Sequence, residues 1–232
     1  MFTAKFIKNI FFDGKGLKAF GRSGNLTRVF AEQGDLDGSC TVYSLMMMLI
    51  FHQKLDWEDL TNSEPAKKTI FVDSIQREFL YTFKGTCVGG HVMNDISIKL
   101  NLCFGRNLSE VFTTRKDASD RVSRRVLHEK IRAQLDNRKP VLLGFRRTSG
   151  TGHSVVAIGY RREVWDDKLR LFCLDPGRLL PFMQVWNNII DIDYLSTDDE
   201  SKTDINHYEC NNVCVEDILI IHDNPPELEC PF

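Results

Sequence analysis

Three short stretches of the chain carry side chains suited to nucleophilic acyl chemistry. The first is Gln33-Gly-Asp-Leu-Asp-Gly-Ser-Cys40, which ends where a run of apolar residues begins. The second, Gly152-His153-Ser154, opens the run Val-Val-Ala-Ile-Gly-Tyr that ends at residue 160. The third, Leu174-Asp175-Pro176-Gly177, closes the run Leu-Arg-Leu-Phe-Cys that begins at residue 169. A thiol, an imidazole and a carboxylate in this order are the parts of a nucleophile, a general base and the group that orients the base.

Each residue has a physical reason to take its role. A thiol at the first turn of a helix sees the positive end of the helix dipole and unpaired backbone N–H groups. Both favour the thiolate, which is the nucleophilic form. A neighbouring imidazolium would lower the thiol pKa further. Asp35 and Asp37 oppose this effect, so their carboxylates are expected to turn toward the loop or solvent. His153 stands at the mouth of an apolar strand and needs an acceptor for its second ring N–H. If 153–160 and 169–175 form an antiparallel hairpin, the start of one lies beside the end of the other, and Asp175 reaches His153. Gln33 lies seven positions before Cys40. Its amide, with the backbone N–H of Cys40, is expected to face the oxyanion of an acyl-transfer intermediate.

Taken singly, these residues have plainer readings: a buried structural thiol, a strand-edge histidine satisfied by backbone, a glutamine in a surface loop. The four together, each on a suitable element, favour catalysis. A second group, His207, Cys210, Cys214 and His222 with Cys230 nearby, offers soft ligands for zinc. A single Cys-x3-Cys, with Cys214 in a strand-like run, is a weak zinc pattern, and neither metal nor cofactor is expected. The seven cysteines are odd in number and irregularly spaced. With no export signal, that argues for buried thiols and against a disulfide framework. Gly14, Gly16, Gly21 and Gly24 match neither nucleotide-binding fingerprint and read as turn residues.

The elements that must position these groups follow from periodicity. Residues 40 to about 53 are apolar on nearly every face, which predicts a helix buried at the centre of the protein; Asp37 and Ser39 are suitable N-caps. Residues 67–83 place Ile70, Phe71, Ile75, Phe79, Leu80 and Phe83 near helical spacing, and 91–103 form a further expected helix. Val122, Val126, Leu127, Ile131 and Leu135 mark a helical face that ends before Pro140. Strands are expected at 141–145, 153–160, 169–177, 185–195 and 214–222, with a solvated loop at 196–204. Helices followed by a mostly antiparallel sheet give an α+β fold. The expected organisation is one domain over 1–232, with a helical lobe at about 30–120, a sheet lobe at about 121–222 and an acidic C-terminal extension.

With 42% hydrophobic and 27% charged residues in 232, the chain is neither a coiled-coil rod nor wholly disordered. Its longest apolar stretch, Val42 to Phe51, is half of a membrane span. The N-terminal run is broken by Lys5 and Lys8 and lacks a small-residue cleavage site, so the mature chain is expected to begin at Met1, in the cytosol. A formal charge of −2 conceals strong segregation: residues 1–30 carry six basic and one acidic group, 115–147 eleven and four, and 191–232 one and twelve. The basic residues of 115–147 follow a helix with an apolar face and have no interleaved aromatics, so no nucleic acid is expected as a partner.

The combination of Gln33, Gly38-Ser39-Cys40, Gly152-His153-Ser154 and Asp175-Pro176 resembles the papain-like cysteine peptidases. Within them it is most similar to the bacterial branch that includes the peptidase domains processing double-glycine leaders. The resemblance spans roughly residues 30–180. It implies a papain-like fold in which Gln33 builds the oxyanion hole, Cys40 attacks, His153 acts as general base then acid, and Asp175 orients His153. The implied activity is a cysteine peptidase or isopeptidase acting on a protein or peptide through an acyl-enzyme. The same residues would also serve an acyltransferase or transglutaminase-like enzyme, and an inert papain-like binding module could retain them.

Overall fold

The computed structural model describes residues 4–32, 40–61, 70–81, 93–104, 108–115, 121–147, 152–162, 168–181, 183–193, 203–204 and 212–223. These form an α+β fold with five helices and a large antiparallel sheet. The helices are α1 (Cys40–Phe51), α2 (Trp57–Thr61), α3 (Ile70–Ile75), α4 (Met93–Phe104) and α5 (Arg124–Asp136). The helix α3 continues as a π-helical segment, Gln76–Tyr81, so the expected helix at 67–83 is wider-wound in its second half. Gln76 is buried there, and its amide donates to the backbone carbonyl of Asp59.

The strands are β1 (Lys5–Phe6), β2 (Phe11–Phe12), β3 (Leu17–Phe20), β4 (Leu26–Arg28), β5 (Ser109–Thr113), β6 (Val141–Arg147), β7 (Gly152–Arg162), β8 (Lys168–Leu174), β9 (Asn188–Asp193), β10 (Thr203–Asp204) and β11 (Asn212–Ile221). The large sheet runs β10-β11-β6-β7-β8-β9, with β5 added to β11 and β1 to β7. It therefore recruits strands from both sides of residue 121. Three of its strands, β1, β5 and β10, have no counterpart in the sequence reading because at two, five and two residues their alternation is too short to register. Strand β10 corrects the end of the loop expected at 196–204, since Thr203 and Asp204 pair with Val213 and Asn212 of β11. The glycine-rich N-terminal segment makes a small separate sheet, β2-β3-β4. Gly14 (φ 79°) and Gly16 (φ 148°) lie in its first turn and Gly24 (φ 77°) in its second, conformations that favour glycine.

The central strand is β7. Every residue from Ser154 to Tyr160 is buried, so both faces are covered, and α1 and α5 both pack against it. Eleven of the twelve residues of α1 are buried. The apolar run that begins at Cys40 thus becomes the central helix its composition calls for, and its first turn sits on β7 where His153 begins that strand.

The other edge partner matters too. Strand β1 continues the edge of β7 beyond the end of β6, pairing Lys5 with Tyr160 and Phe6 with Gly159. The Phe6 ring then stacks on Phe172 of β8 (5.1 Å) and on Trp186 just before β9 (5.7 Å). A methyl group at Gly159 would lie 2.6 Å from the Lys5 carbonyl oxygen and 2.6 Å from the Phe6 ring. Gly159→Ala is therefore expected to displace β1 and lower stability by about 1–3 kcal/mol, seen as a lower urea midpoint with an unchanged m-value.

Candidate active site

The site is built where the N-terminus of α1 meets the open end of the β7–β8 hairpin. Strands β7 and β8 pair antiparallel with Val156 opposite Leu174, so the chain leaving β8 at Asp175 runs beside the start of β7. His153 Nε2 and Asp175 Oδ1 are 2.6 Å apart. His153 also hydrogen-bonds the Cys40 thiol. With Nε2 committed to Asp175, Nδ1 is the ring nitrogen left for sulfur. Cys40, His153 and Asp175, far apart in sequence, are thus one chain of hydrogen bonds. Gln33, Asp35, Asp37 and Ser39 lie outside the described residues.

A hub of hydroxyl groups fixes the helix to the strand. Thr41 Oγ1 and Ser154 Oγ are 2.9 Å apart, and Ser44 Oγ donates to the Ser154 carbonyl at 3.0 Å. Thr41 Oγ1 also lies 3.9 Å from the Cys40 sulfur. All three hydroxyl residues are buried, so these bonds satisfy groups that would otherwise be costly to desolvate. They lock the first turn of α1 against the residue that follows His153. Phe145, the partner of His153 on β6, meets the imidazole edge-to-face at 5.5 Å.

Asp175 is held at every polar atom. Its Oδ1 accepts from His153 and from the Gly177 N–H (2.9 Å). Its Oδ2 accepts from Asn188 Nδ2 (2.9 Å) and faces Arg178 Nε at 3.5 Å. The Asp175 N–H donates to Asn187 Oδ1 (2.7 Å), and Asn187 Nδ2 returns bonds to the carbonyls of Asp175 and Arg178, both at 2.8 Å. Thr41, Ser44, Gly177, Arg178, Asn187 and Asn188 were not identified from the sequence as parts of the site. The signal for two of them was present: adjacent asparagines opening the apolar strand β9 need buried partners. A cavity of about 510 Å³ adjoins this clamp, lined by Arg178, Trp186, Asn187 and Asn188 among others.

The electrostatics favour an ion pair. Burial by itself would push the Cys40 thiol up; the hydrogen bond and charge of His153, the Ser154 backbone and the Thr41 hydroxyl outweigh it and hold the thiol below an ordinary cysteine. Burial would likewise lower His153, but its bonds to Asp175 and Cys40 and their charges raise it to about 9. Asp175 stays below the ordinary carboxylate range despite burial, because His153, the Gly177 N–H and Arg178 favour its charged form. Both shifts favour the thiolate–imidazolium form, beside an ionised Asp175. Cys173, fully buried in β8 and near the Asp175 charge, is pushed the other way and stays a thiol. It is an internal control for reactivity.

Among the described residues no group of three or more histidine, cysteine and acidic side chains is arranged to hold a metal ion. His207, Cys210 and Cys230 lie outside them. Cys214 stands on β11, and His222 Nε2 lies 3.8 Å from the Glu110 carboxylate. No helix among the described residues is long and apolar enough to cross a membrane. A scan against protein-family models finds no match to the chain, and a search of curated proteins finds none either.

Alkylation by iodoacetamide, followed site by site by mass spectrometry, is expected to modify Cys40 with a pH midpoint below that of an ordinary thiol, about 8.5, while Cys173 stays unmodified in the folded protein. In His153→Ala the burial contribution is left unopposed by its main counterweight, so the Cys40 midpoint is expected to rise to the ordinary value or above it. A midpoint that does not move would mean that the imidazole does not govern the thiol. Gly177 supplies a steric test. A methyl group there would stand 3.3 Å from both His153 Cε1 and Asp175 Oδ1. Gly177→Ala is expected to tilt the imidazole and slow Cys40 alkylation at pH 7 several-fold, with little change in global stability.

Proposed function

We propose that this chain is a papain-like thiol hydrolase, a cysteine peptidase or isopeptidase that cleaves an amide bond in a protein or peptide. The observation that carries this reading is the single hydrogen-bonded chain from the Cys40 thiol through His153 to Asp175, with thiol and imidazole shifted in opposite directions. A thiol at the tip of a buried helix, facing a histidine on β7 and a carboxylate just past the end of the antiparallel β8, also supports the papain-like arrangement over other α+β folds.

The Cys40 thiolate attacks the scissile carbonyl carbon, forming the S–C bond and moving the carbonyl π electrons onto oxygen. The backbone N–H of Cys40, with the Gln33 amide that the sequence places upstream, stabilises that oxyanion. The imidazolium of His153 gives its proton to the leaving nitrogen as the C–N bond breaks, which leaves an acyl-enzyme. Neutral His153 then takes a proton from water; the hydroxide adds to the acyl carbon, the C–S bond breaks, and the product acid leaves with the thiolate restored. Asp175 keeps the ring oriented and stabilises its charged form throughout.

An acyl-trapping probe is expected to label Cys40, and Cys40→Ala to lose both labelling and activity. New protein N-termini, compared across a proteome exposed to wild type and to Cys40→Ala, are expected with wild type alone; identical sets would remove proteolysis. If an added amine resolves the acyl-enzyme faster than water, the acceptor is an amine and the enzyme is an acyltransferase.

The pH profile of kcat/KM should be bell-shaped. It rises as the Cys40 thiolate forms, below the ordinary thiol value, and falls as His153 loses its proton near pH 9. Asp175→Asn removes the largest influence raising His153, so its alkaline limb is expected to move to lower pH, with activity reduced on the order of 10²-fold or more.

A further inference from the structure

The two basic stretches of the sequence converge at the end of α1 opposite Cys40. A cavity of about 750 Å³ opens there, lined by Lys8, by Lys54 just after α1, and by Arg138 and Lys139 just after α5. That volume lies within the usual range for ligand sites, about 300–1,000 Å³. Cys40 and Phe51 terminate the same helix, which places the cavity about 17 Å from the thiol along the axis. It is not part of the site described above.

Cations beside helix C-termini often do no more than neutralise the last carbonyls. Here the backbone has already done so. Gln53 and Arg138 hold left-handed φ values of 55° and 60°. At α1, Gln53 N and Lys54 N donate to the Ile50 and Leu49 carbonyls (2.9 and 2.8 Å); at α5, Arg138 N and Lys139 N donate to those of Leu135 and Gln134 (both 3.0 Å). Asn9 Nδ2 takes the Phe51 carbonyl at 3.0 Å. The four cationic side chains are therefore not consumed as caps. Among the described residues one carboxylate lines the cavity, that of Asp223, and Lys139 lies 3.0 Å and His52 Nδ1 2.8 Å from it. Lys54 Nζ donates to the Asp223 backbone carbonyl. Lys8 and Arg138 make no ion pair among the described residues.

The wall is apolar and pre-set. Phe11 and Phe20, 39% and 38% exposed, meet edge-to-face at 5.1 Å. Asn9 fixes Phe20 by bonding both its N–H and its carbonyl, each at 2.8 Å. Among the described residues, four cations against one carboxylate, beside two accessible rings, suit a ligand carrying both carboxylates and an aromatic side chain. A channel for single-stranded nucleic acid would instead spread its cations along a track, whereas these ring one cavity that already holds a carboxylate. We propose that this cavity is a docking site for an acidic, aromatic-containing segment of a partner polypeptide, engaged independently of the reaction at Cys40.

The test uses the full chain as Cys40→Ser, so that the probe is not cleaved. Fluorescence anisotropy measures binding of a labelled Gly-Asp-Glu-Phe-Asp-Glu-Phe-Gly peptide. Lys8→Glu changes an exposed side chain, and Arg138→Gly places glycine at a left-handed position, so both variants are expected to fold. Their combination is expected to weaken binding at least about tenfold and to flatten its salt dependence. Replacing both phenylalanines of the peptide by alanine should weaken binding to the unsubstituted pocket at least about threefold. Equal affinity for the double variant overturns the site. Equal affinity for the alanine peptide, or tighter binding of a labelled oligothymidylate, overturns the choice of ligand.

Discussion

The 2.6 Å hydrogen bond between His153 and Asp175 organises the chemistry of this molecule. It commits one ring nitrogen, turns the other toward Cys40 and makes the imidazole far more basic than it would be in the same buried position alone. The bond exists only in one strand register. Shifting β8 by a single residue along β7 would send alternate side chains to the opposite face and carry Asp175 away. The pairing that sets this register spans 156–162 against 174–169, with an irregularity at Ile158. It is reinforced by β1, whose Phe6 packs on Phe172 and Trp186.

A buried row of thiolate, imidazolium and carboxylate is costly to desolvate. It is accommodated because polar groups stand at both ends of the row. Asp175 receives donors on both oxygens, Asn187 closes the backbone around it, and Arg178 lies near enough to favour its charge. On the thiol side, the hydroxyl groups of Thr41, Ser44 and Ser154 satisfy one another across the helix–strand contact. The geometry of the thiol–imidazole pair is thus set by the groups packed around it.

Helix α1 ties the molecule together in another sense. Its apolar middle is packed on nearly every side, so it behaves as a rigid strut with two exposed tasks at its ends. One end presents sulfur to His153. The other, through His52, Gln53 and Lys54, joins the turn after α5 to enclose the basic cavity with Lys8 and Asp223. Segregated charge that looked like ordinary surface in the linear chain becomes concentrated once Lys8 and Arg138 share one wall.

Much of this was legible in the sequence, for local reasons. The largely apolar run after Cys40 required a buried helix starting at that residue. The runs after His153 and before Asp175 required strands, and a short charged turn between them required antiparallel pairing; each of these is a property of period, length and turn. The sequence therefore determined the thiol at a helix tip and the imidazole beside a carboxylate. Other features were decided only by tertiary structure: that α1 lies on β7 and not elsewhere, that Asn188 reaches the far oxygen of Asp175, that β1 and β5 join the sheet, and that residues 8, 54 and 138 line one cavity. These depend on which buried faces fit together across long stretches of chain, and a pairing energy between distant residues leaves no period in the sequence from which it could be read.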